Sequence, residues 1–162
     1  MRILKKRRRS RPAEKWPIPI YWDDREKKGR WHLDCVKYKM VKCRIDTGDY
    51  VLYRGKESIV IERKASMEEL ISNLTGQKKY KFYKFLERLS GYKRKCIVVE
   101  DTCCVAAALR RNPYARVTPK DIYFQIGKIM FEYGIPILFC NAKGQDKQDF
   151  LYYLFDSAWQ AK

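Results

Sequence analysis

The sequence predicts a single α/β domain built on a mixed β-sheet. Short apolar runs bounded by turn residues fill residues 17–64, a pattern typical of strands. Beyond residue 64, segments of helical periodicity alternate with two short apolar strands, the arrangement of α/β proteins. The chain has 162 residues, of which 46% are hydrophobic, and no linker or internal repeat divides it. These observations favour one compact core.

Four strands are predicted before the first helix. The turn formed by Arg54, Gly55 and Lys56 joins the last two of them into a hairpin. We expect the four strands to form an antiparallel group, with acidic residues near one of its ends. The strands cover residues 17–23, 36–45, 50–53 and 58–64.

Capping signals mark the start of two predicted helices. Ser66 followed by Glu69 is a capping box, and Gly76 ends that helix. Thr118 followed by Pro119 begins another. The predicted helices cover residues 66–76, 79–90, 104–111, 118–133 and 146–159, and the two later strands cover residues 95–100 and 136–140. Apolar residues at helical spacing predict the buried face of the fourth helix: Ile122, Ile126, Ile129, Met130 and Tyr133.

The chain is strongly basic. It carries 36 Lys and Arg residues against 19 Asp and Glu residues, a net charge of +17, and its first eleven residues hold seven basic groups and no acid. Without them the net charge is still about +10, so the folded part also favours a polyanionic partner, most commonly nucleic acid. We interpret residues 1–16 as a basic, disordered tail, with a nuclear address and a DNA-gripping arm as alternative roles.

The six cysteines predict a reducing, intracellular environment. They include no Cys-x-x-Cys pair, and the chain has one histidine, His32, so a zinc site is poorly supported. Most cysteines lie in apolar runs, where we expect them as small buried core residues. No apolar stretch reaches the ~20 residues of a membrane span, so no membrane association is expected. The predicted location is the cytoplasm, or the nucleus if the organism is eukaryotic.

One stretch of the chain carries the chemistry. Asp49 precedes the third strand, and Glu62 and Lys64 lie two residues apart on the fourth. Successive side chains of a strand point to opposite faces, so Glu62 and Lys64 share a face and Arg63 points the other way. The apolar run before Glu62 predicts that these charges emerge from the core, where they are costly unless something pairs with them. A divalent metal held by Asp49 and Glu62, with Lys64 beside its bound water, resolves that cost and is the layout of a metal-dependent phosphodiester hydrolase.

A single Glu-x-Lys on a strand is more often a surface ion pair, worth ~0–1 kcal/mol, than a catalytic pair. Here it does not stand alone, because three motifs in order resemble the nuclease domain of the XPF family of structure-specific endonucleases. The resemblance runs from about residue 18 to about residue 141. The matching elements are Asp23-Asp24-Arg25-Glu26, Gly48-Asp49, Glu62-Arg63-Lys64 with Glu68, and an apolar strand ending in Glu100.

The resemblance implies a restriction-endonuclease-like three-layer fold, with a central mixed sheet flanked by helices. It assigns residues 17–162 to the nuclease domain. It further implies Mg²⁺ or Mn²⁺ as cofactor and DNA as partner, cut at branched, flap or single-strand junction sites. DNA repair, DNA recombination and phage DNA processing stay open as the process served.

The resemblance also implies a role for each site residue. Asp49 and Glu62 are the expected metal ligands, and Asp23 binds a second ion or holds the first through water. Lys64 orients or deprotonates the attacking water, or stabilises the transition state. The remaining roles are phosphate contact by Arg25 and Arg63 and support of the ligands by Glu26, Glu68 and Glu100.

Two positions depart from the family pattern. The acid after Glu-Arg-Lys is Glu68, where the family usually has an aspartate. The family usually carries an arginine and a glutamine in the next helix, facing the site. This chain has lysines around that position, and we expect Lys78, Lys79 and Lys81 to contact DNA.

Two other functions stay open at the level of sequence. A catalytically silent, basic DNA-binding or scaffolding module explains the charge, but silent copies usually lose Asp49, Glu62 or Lys64, and all three are present. An RNA-binding protein fits the size and charge but does not explain acids placed at strand ends.

A homodimer is expected, because family members pair through this domain. The last helix also carries more aromatic surface than a small domain readily buries. We predict that this helix and the one from Pro119 form the contact. The apolar residues of the last helix are Phe150, Leu151, Leu154, Phe155 and Trp159.

Overall fold

The computed structural model describes residues 17–26, 31–33, 35–77, 79–111 and 116–161. Within them the chain forms five helices and a six-stranded sheet of order β2-β1-β3-β4-β5-β6. The basic tail at residues 1–16 and Lys78 lie outside the described residues, so their roles stay predictions. The strands are β1 Ile18–Asp23, β2 Tyr38–Cys43, β3 Tyr50–Arg54, β4 Glu57–Lys64, β5 Arg94–Val99 and β6 Ile137–Phe139. The helices are α1 Met67–Thr75, α2 Lys79–Ser90, α3 Val105–Arg111, α4 Pro119–Glu132 and α5 Gly144–Gln160.

β1 and β2 run parallel, so the expectation of four antiparallel strands is wrong for this pair. Their register sets Ile18 opposite Tyr38. The segment between the two strands is long enough to cross over and return, which is the connection that a parallel pair requires. β1 instead takes β3 as its antiparallel neighbour, with Tyr21 opposite Val51. β1 therefore lies between β2 and β3 in the sheet.

The remaining pairings confirm the predicted mixed sheet. β3 and β4 form the expected antiparallel hairpin around Gly55, which has a φ of +60°. β4, β5 and β6 run parallel, with α1 and α2 between the first two of them and α3 and α4 between the last two. These are strand–helix–strand crossovers of the α/β type.

The sheet separates two hydrophobic cores, which gives three layers. On one face, helices α1 to α4 pack against the sheet through residues such as Leu70, Leu86 and Ile122. On the other face, α5 and residues 31–33 cover the sheet, with Phe155 among the fully buried side chains. Since β4 alternates between the two cores, its successive side chains reach different environments.

The two helices predicted to form a dimer differ in their surfaces. The apolar residues of α5 pack against the sheet of the same chain, so they serve the core and not a contact between chains. α4 has a buried face but leaves Phe124 70% and Phe131 88% exposed. Met130, predicted to be buried, is 42% exposed, because the inward stripe of α4 is narrower than its apolar sequence.

The cysteines are less buried than expected. Cys96 is buried, but Cys43, Cys103 and Cys104 are exposed, and Cys35 and Cys140 are intermediate. The exposed ones lie at the end of β2 and just before α3, where neither core covers them. None of the helices in the described part of the chain is both long and apolar enough to cross a membrane.

Candidate active site

The turn before β3 fixes the position of Asp49. Gly48 has a φ of +82°, and a Cβ at this position would lie 2.5 Å from Cγ1 of buried Val60. Only glycine adopts this conformation without strain at such close approach. The Asp49 N–H then donates to the Ile61 carbonyl at 2.9 Å, and the Arg63 N–H donates to Asp49 Oδ2 at 2.7 Å. The hairpin therefore holds the Asp49 carboxylate against the backbone of β4.

Glu62 and Lys64 project from the same face of β4, as predicted. The Lys64 ammonium donates to Glu62 Oε1 at 2.6 Å, and it lies 3.5 Å from a carboxylate oxygen of Glu69. Glu62 and Lys64 are both buried, with 8% and 6% of their surface exposed. The ring of Phe82 from α2 lies 5.5 Å from the Lys64 ammonium. Helices α1 and α2 therefore cover the end of β4 and remove most of the water around its charges.

This burial changes the ionisation of the site. Burial raises the pKa of Asp49 to about 8, and the negative charge of Glu62 adds to the effect. Burial also raises the pKa of Glu62, although Lys64 opposes the shift. Burial alone would lower the pKa of Lys64, but the attraction of Glu62 outweighs it and the pKa lies above its usual range. The site thus holds a protonated lysine beside two carboxyl groups that lack full compensation for their charge.

The chemistry of these side chains fits a hard divalent cation. Mg²⁺ is usually bound by one or two carboxylates, and waters and substrate phosphates complete its shell. Asp49 and Glu62 provide such a pair, and a cation between them would supply the compensating charge that their raised pKa values indicate is missing. No group of three or more Asp, Glu, His or Cys residues able to hold a metal was found among the described residues.

Asp23 lines the same small cavity as Asp49 and Glu62, of about 330 Å³, but its carboxylate is engaged by Arg25. Arg25 Nε donates to both Asp23 oxygens, at 3.1 and 2.9 Å, and its Nη2 also reaches Asp23 and the Ile45 carbonyl. Burial alone would raise the pKa of Asp23, but the hydrogen bonds from Arg25 lower it. A metal contact by Asp23 would have to share the carboxylate with Arg25.

Arg63 points to the opposite face of β4 and is 7% exposed. Its guanidinium donates to Glu26 at 3.0 Å and to Glu100 at 2.7 Å. Glu100 also accepts from the Trp31 indole N–H and pairs with Lys147 of α5 at 2.6 Å. These contacts leave Arg63 inside the protein, where it fixes the backbone that holds Asp49, and not on a surface where it could contact phosphate.

The basic surface beside the site comes from α2. Lys79 and Lys81 are exposed, and their contact with DNA stays a prediction. Arg88, further along the same helix, lines the cavity that contains Asp49. Its guanidinium lies 6.0 Å from the ring of Phe85. The entrance to the site is therefore lined by cations on the side of α2.

The chain matches one known protein family. A family model described as the ERCC4 domain matches residues 22–154, which is most of the chain. The chain belongs to the ERCC4 domain family. This confirms the resemblance to the XPF nuclease domain, and the fold agrees with it.

Two solved structures resemble this ERCC4 domain. XPF from Aeropyrum pernix matches with a TM-score of 0.59 and 18% identity, covering 87% of this chain and 64% of that one. XPF from Aeropyrum pernix in complex with DNA matches with a TM-score of 0.61 and 20% identity, covering 90% of this chain and 68% of that one. The ERCC4 domain thus spans about two thirds of each of these chains. No curated protein matches the chain significantly.

In this ERCC4 domain, the acid of α1 that contacts Lys64 is Glu69 and not Glu68. Glu68 pairs with Arg111 of α3, which lowers the pKa of Glu68. Glu69 also accepts from the Ala65 N–H at 2.8 Å, next to its contact with Lys64. The sequence predicts only a capping role for Glu69, although an acid in the first turn of the helix that follows β4 is a usable signal of a position near Lys64. Trp31 and Lys147 were missed because nothing local in the sequence links either one to Glu100.

Proposed function

We propose that this chain is a metal-dependent DNA endonuclease that hydrolyses phosphodiester bonds at branched, flap or junction DNA. One observation carries the proposal. Asp49 and Glu62 are two carboxyl groups kept desolvated beside a protonated lysine, which is costly for the fold. Such perturbed groups in a cleft mark functional sites more often than structural ones. Family membership supports nuclease chemistry as the use of this site.

Asp49 and Glu62 are the residues that would hold Mg²⁺ or Mn²⁺. The bound ion would lower the pKa of a water and neutralise charge that grows on the phosphate. Lys64 donates a hydrogen bond to Glu62 and would place a positive charge beside the phosphate in the transition state. Glu62 orients the Lys64 ammonium through their 2.6 Å hydrogen bond, and the Arg63 N–H orients Asp49.

Charge and fold both support DNA as the partner. The net charge of +17 favours a polyanion, and Lys81 and Arg88 of α2 line cavities that the proposed metal ligands also line. One of the structures that the fold resembles is XPF from Aeropyrum pernix in complex with DNA. We infer that Lys79, Lys81 and Arg25 contact the phosphates that flank the cut.

We propose a homodimer formed through α4. Phe124 and Phe131 expose large apolar side chains two turns apart on this helix, and exposed apolar surface is typical of contacts between proteins. Light scattering at micromolar concentration should give the mass of two chains, and Phe131→Glu should give the mass of one. A wild-type monomer would contradict the proposal for the dimer without affecting that for the nuclease.

The test of the nuclease is cleavage of labelled flap, fork, Holliday junction and duplex DNA, with and without Mg²⁺ or Mn²⁺. We expect cleavage that requires the metal and is strongest on a branched substrate. Glu62→Gln keeps the shape of the side chain, so it should bind DNA normally and lose cleavage. Tight binding without cleavage on any substrate would favour the alternative, a catalytically silent DNA-binding or scaffolding module.

A further inference from the structure

A second cavity adjoins the proposed metal site and has no role so far. Its volume is about 570 Å³, within the range of small-ligand pockets. It lies between the end of α1 and the first turns of α2, and its lining includes Asn73, Gln77, Lys81 and Phe85. Glu62 and Phe85 line both this cavity and the smaller one that holds Asp49. The two cavities therefore meet at the proposed reaction centre.

One wall of the larger cavity is aromatic. Phe82 and Phe85 stand parallel, with their ring centroids 5.9 Å apart and an angle of 18° between the planes. Phe82 is buried, which fixes the pair, whereas Phe85 is partly exposed to the cavity. Phe85 is partly exposed and is supported by a buried ring, so it offers an aromatic surface on which another flat π-system can stack.

The other side of the cavity is polar. The Asn73 side chain donates its Nδ2 to the Glu69 carbonyl at 2.7 Å, so its amide is held in one orientation. Gln77 contributes a second amide from an exposed position, and Lys81 contributes a cation at the rim. An aromatic wall, two amides and a peripheral cation match a nucleotide: a flat base, a hydrogen-bonding edge and a phosphate.

Building on the proposed nuclease function, we propose that this cavity binds one unpaired base of the DNA strand that is cut. The base stacks on Phe85, and its edge faces Asn73 and Gln77. Because Glu62 lines the cavity, this base belongs to a nucleotide adjacent to the phosphate that reacts. A base within a duplex would have to leave its stack at a cost of a few kcal/mol, whereas an unpaired base at a flap or junction pays much less. The pocket thus selects DNA in which a single strand meets a duplex.

The first experiment removes bases one at a time. Flap substrates carrying a single abasic site at each position around the cut are compared for kcat/KM. We expect one position to lose about tenfold or more, since base–aromatic stacking contributes ~1–3 kcal/mol. In Phe85→Leu the intact substrate should lose a similar factor, and the abasic site at that position should cost nothing further, because both changes remove one contact.

Two further variants make this result specific. Tyr53→Leu removes an exposed aromatic side chain at the far end of the β3–β4 hairpin and should retain the wild-type sensitivity to base removal. If Phe85→Leu is misfolded by circular dichroism, Gln77→Ala replaces it, because Gln77 is exposed and its loss leaves the core intact. Equal losses at every position, or full sensitivity retained in the pocket variant, would overturn the proposal while leaving the nuclease established.

The second experiment does not depend on cleavage. Flap DNA with 2-aminopurine at the same positions is bound without metal, and the fluorescence of the base is measured. We expect a change at one position only, present in Tyr53→Leu and absent in Phe85→Leu. Where the flap is cut, this should be the position whose base removal lowers kcat/KM. If no substrate is cut but this signal appears, the nuclease proposal fails and the base pocket stands. Bound DNA without a position-specific signal, or no DNA binding, would overturn the pocket.

Discussion

Two clusters of charged side chains lie on opposite faces of β4, one around Glu62 and Lys64 and the other around Arg63 and Glu100. They differ in how their charges are neutralised. On the face covered by α1 and α2, burial raises the pKa of Asp49 to about 8 and raises that of Glu62 as well. On the face covered by α5, burial acts against Glu100 too, but hydrogen bonds from Arg63, Lys147 and Trp31 outweigh it and lower its pKa. Lys64 and Arg63 are neighbours on β4, yet the pKa of Glu62 beside Lys64 is raised and the pKa of Glu100 beside Arg63 is lowered.

The difference separates a fully paired cluster from the proposed active site. Around Glu100 each charge has a partner within hydrogen-bonding distance, so the loss of one partner would leave a buried charge uncompensated. Around Asp49 and Glu62 a single ammonium, from Lys64, faces two carboxyl groups. A protein keeps such an imbalance at a cost to its stability, and this cost is typical of sites that need the unpaired charge for function.

The largest effect on the proposed active site is expected from Asp49→Asn. Asparagine keeps the acceptor for the Arg63 N–H and removes a desolvated carboxyl group. We expect cleavage to fall by about three orders of magnitude or more and the free energy of unfolding without metal to rise by about 1 kcal/mol. Kinetics on flap DNA and urea denaturation measure the two effects. Asp24→Asn, at an exposed acid that pairs with Arg44, should change neither.

The stabilisation by Asp49→Asn should depend on pH. With its pKa raised to about 8, folded Asp49 holds a proton that the unfolded chain loses near pH 4. That contribution is present below the unfolded pKa and is lost as the pH rises to about 8. The variant lacks this loss, so its advantage should grow from pH 5 to pH 8. A constant or shrinking advantage would mean that Asp49 is already compensated in the free protein.

On the other face of β4, Glu100→Ala should lower stability by about 3 kcal/mol, because it leaves the buried Arg63 guanidinium with one partner fewer. The effect on cleavage should be smaller and indirect, because Glu100 reaches Asp49 only through the backbone N–H of Arg63. Glu57→Ala is the matched control, since Glu57 pairs with Lys93 and Arg94 at the surface and should matter little. Denaturation curves of the two variants would contradict the comparison if they coincided.

Local patterns in the sequence were sufficient to predict most elements and the centre of the site. The alternation of β4 required Glu62 and Lys64 to share a face, and the Gly48 turn required Asp49 to lie near them. Helix α2 was predicted over residues 79–90, because a basic stretch of helical periodicity ended at a glycine, and the structure has it as Lys79–Ser90.

Long-range partners could not be predicted in the same way. The parallel pairing of β1 with β2 depends on the path of the connection, and no local pattern encodes it. The internal use of the α5 aromatic residues depends on the free face of the sheet, which the pattern of α5 alone does not reveal. Likewise the choice of Glu69 over Glu68 near Lys64 follows from the rotation of α1 about its axis, which its packing on the sheet determines.

Smaller losses of stability and of kcat are expected from Gly48→Ala, on the face of β4 that is covered by α1 and α2. At a φ of +82°, alanine is strained, and its Cβ would lie 2.5 Å from Val60 Cγ1, so we expect a loss of about 2 kcal/mol in stability. The displaced turn should also reduce kcat, because Asp49 follows directly. Gly55→Ala has a similar φ of +60° but open space around it, so it should cost less and leave kcat unchanged. If Gly48→Ala and Gly55→Ala changed kcat equally, the Gly48 turn would have no specific role in positioning Asp49.

The smallest effect concerns the contact between Trp31 and Glu100. Trp31 stacks on Tyr50, with ring centroids 4.4 Å apart and planes 14° from parallel, and its indole N–H donates to Glu100. Trp31→Phe keeps a stacked ring and removes only the donor, so it should cost about 1 kcal/mol. Glu100 would retain Arg63 and Lys147, and its pKa should rise but stay below that of an isolated glutamate. Because a lowered carboxyl pKa stabilises the fold above the unfolded value and loses that contribution as the pH falls, the variant should unfold at a higher pH during acid titration. An unchanged acid midpoint would show that the two cations alone neutralise Glu100, and that the indole contributes packing without electrostatics.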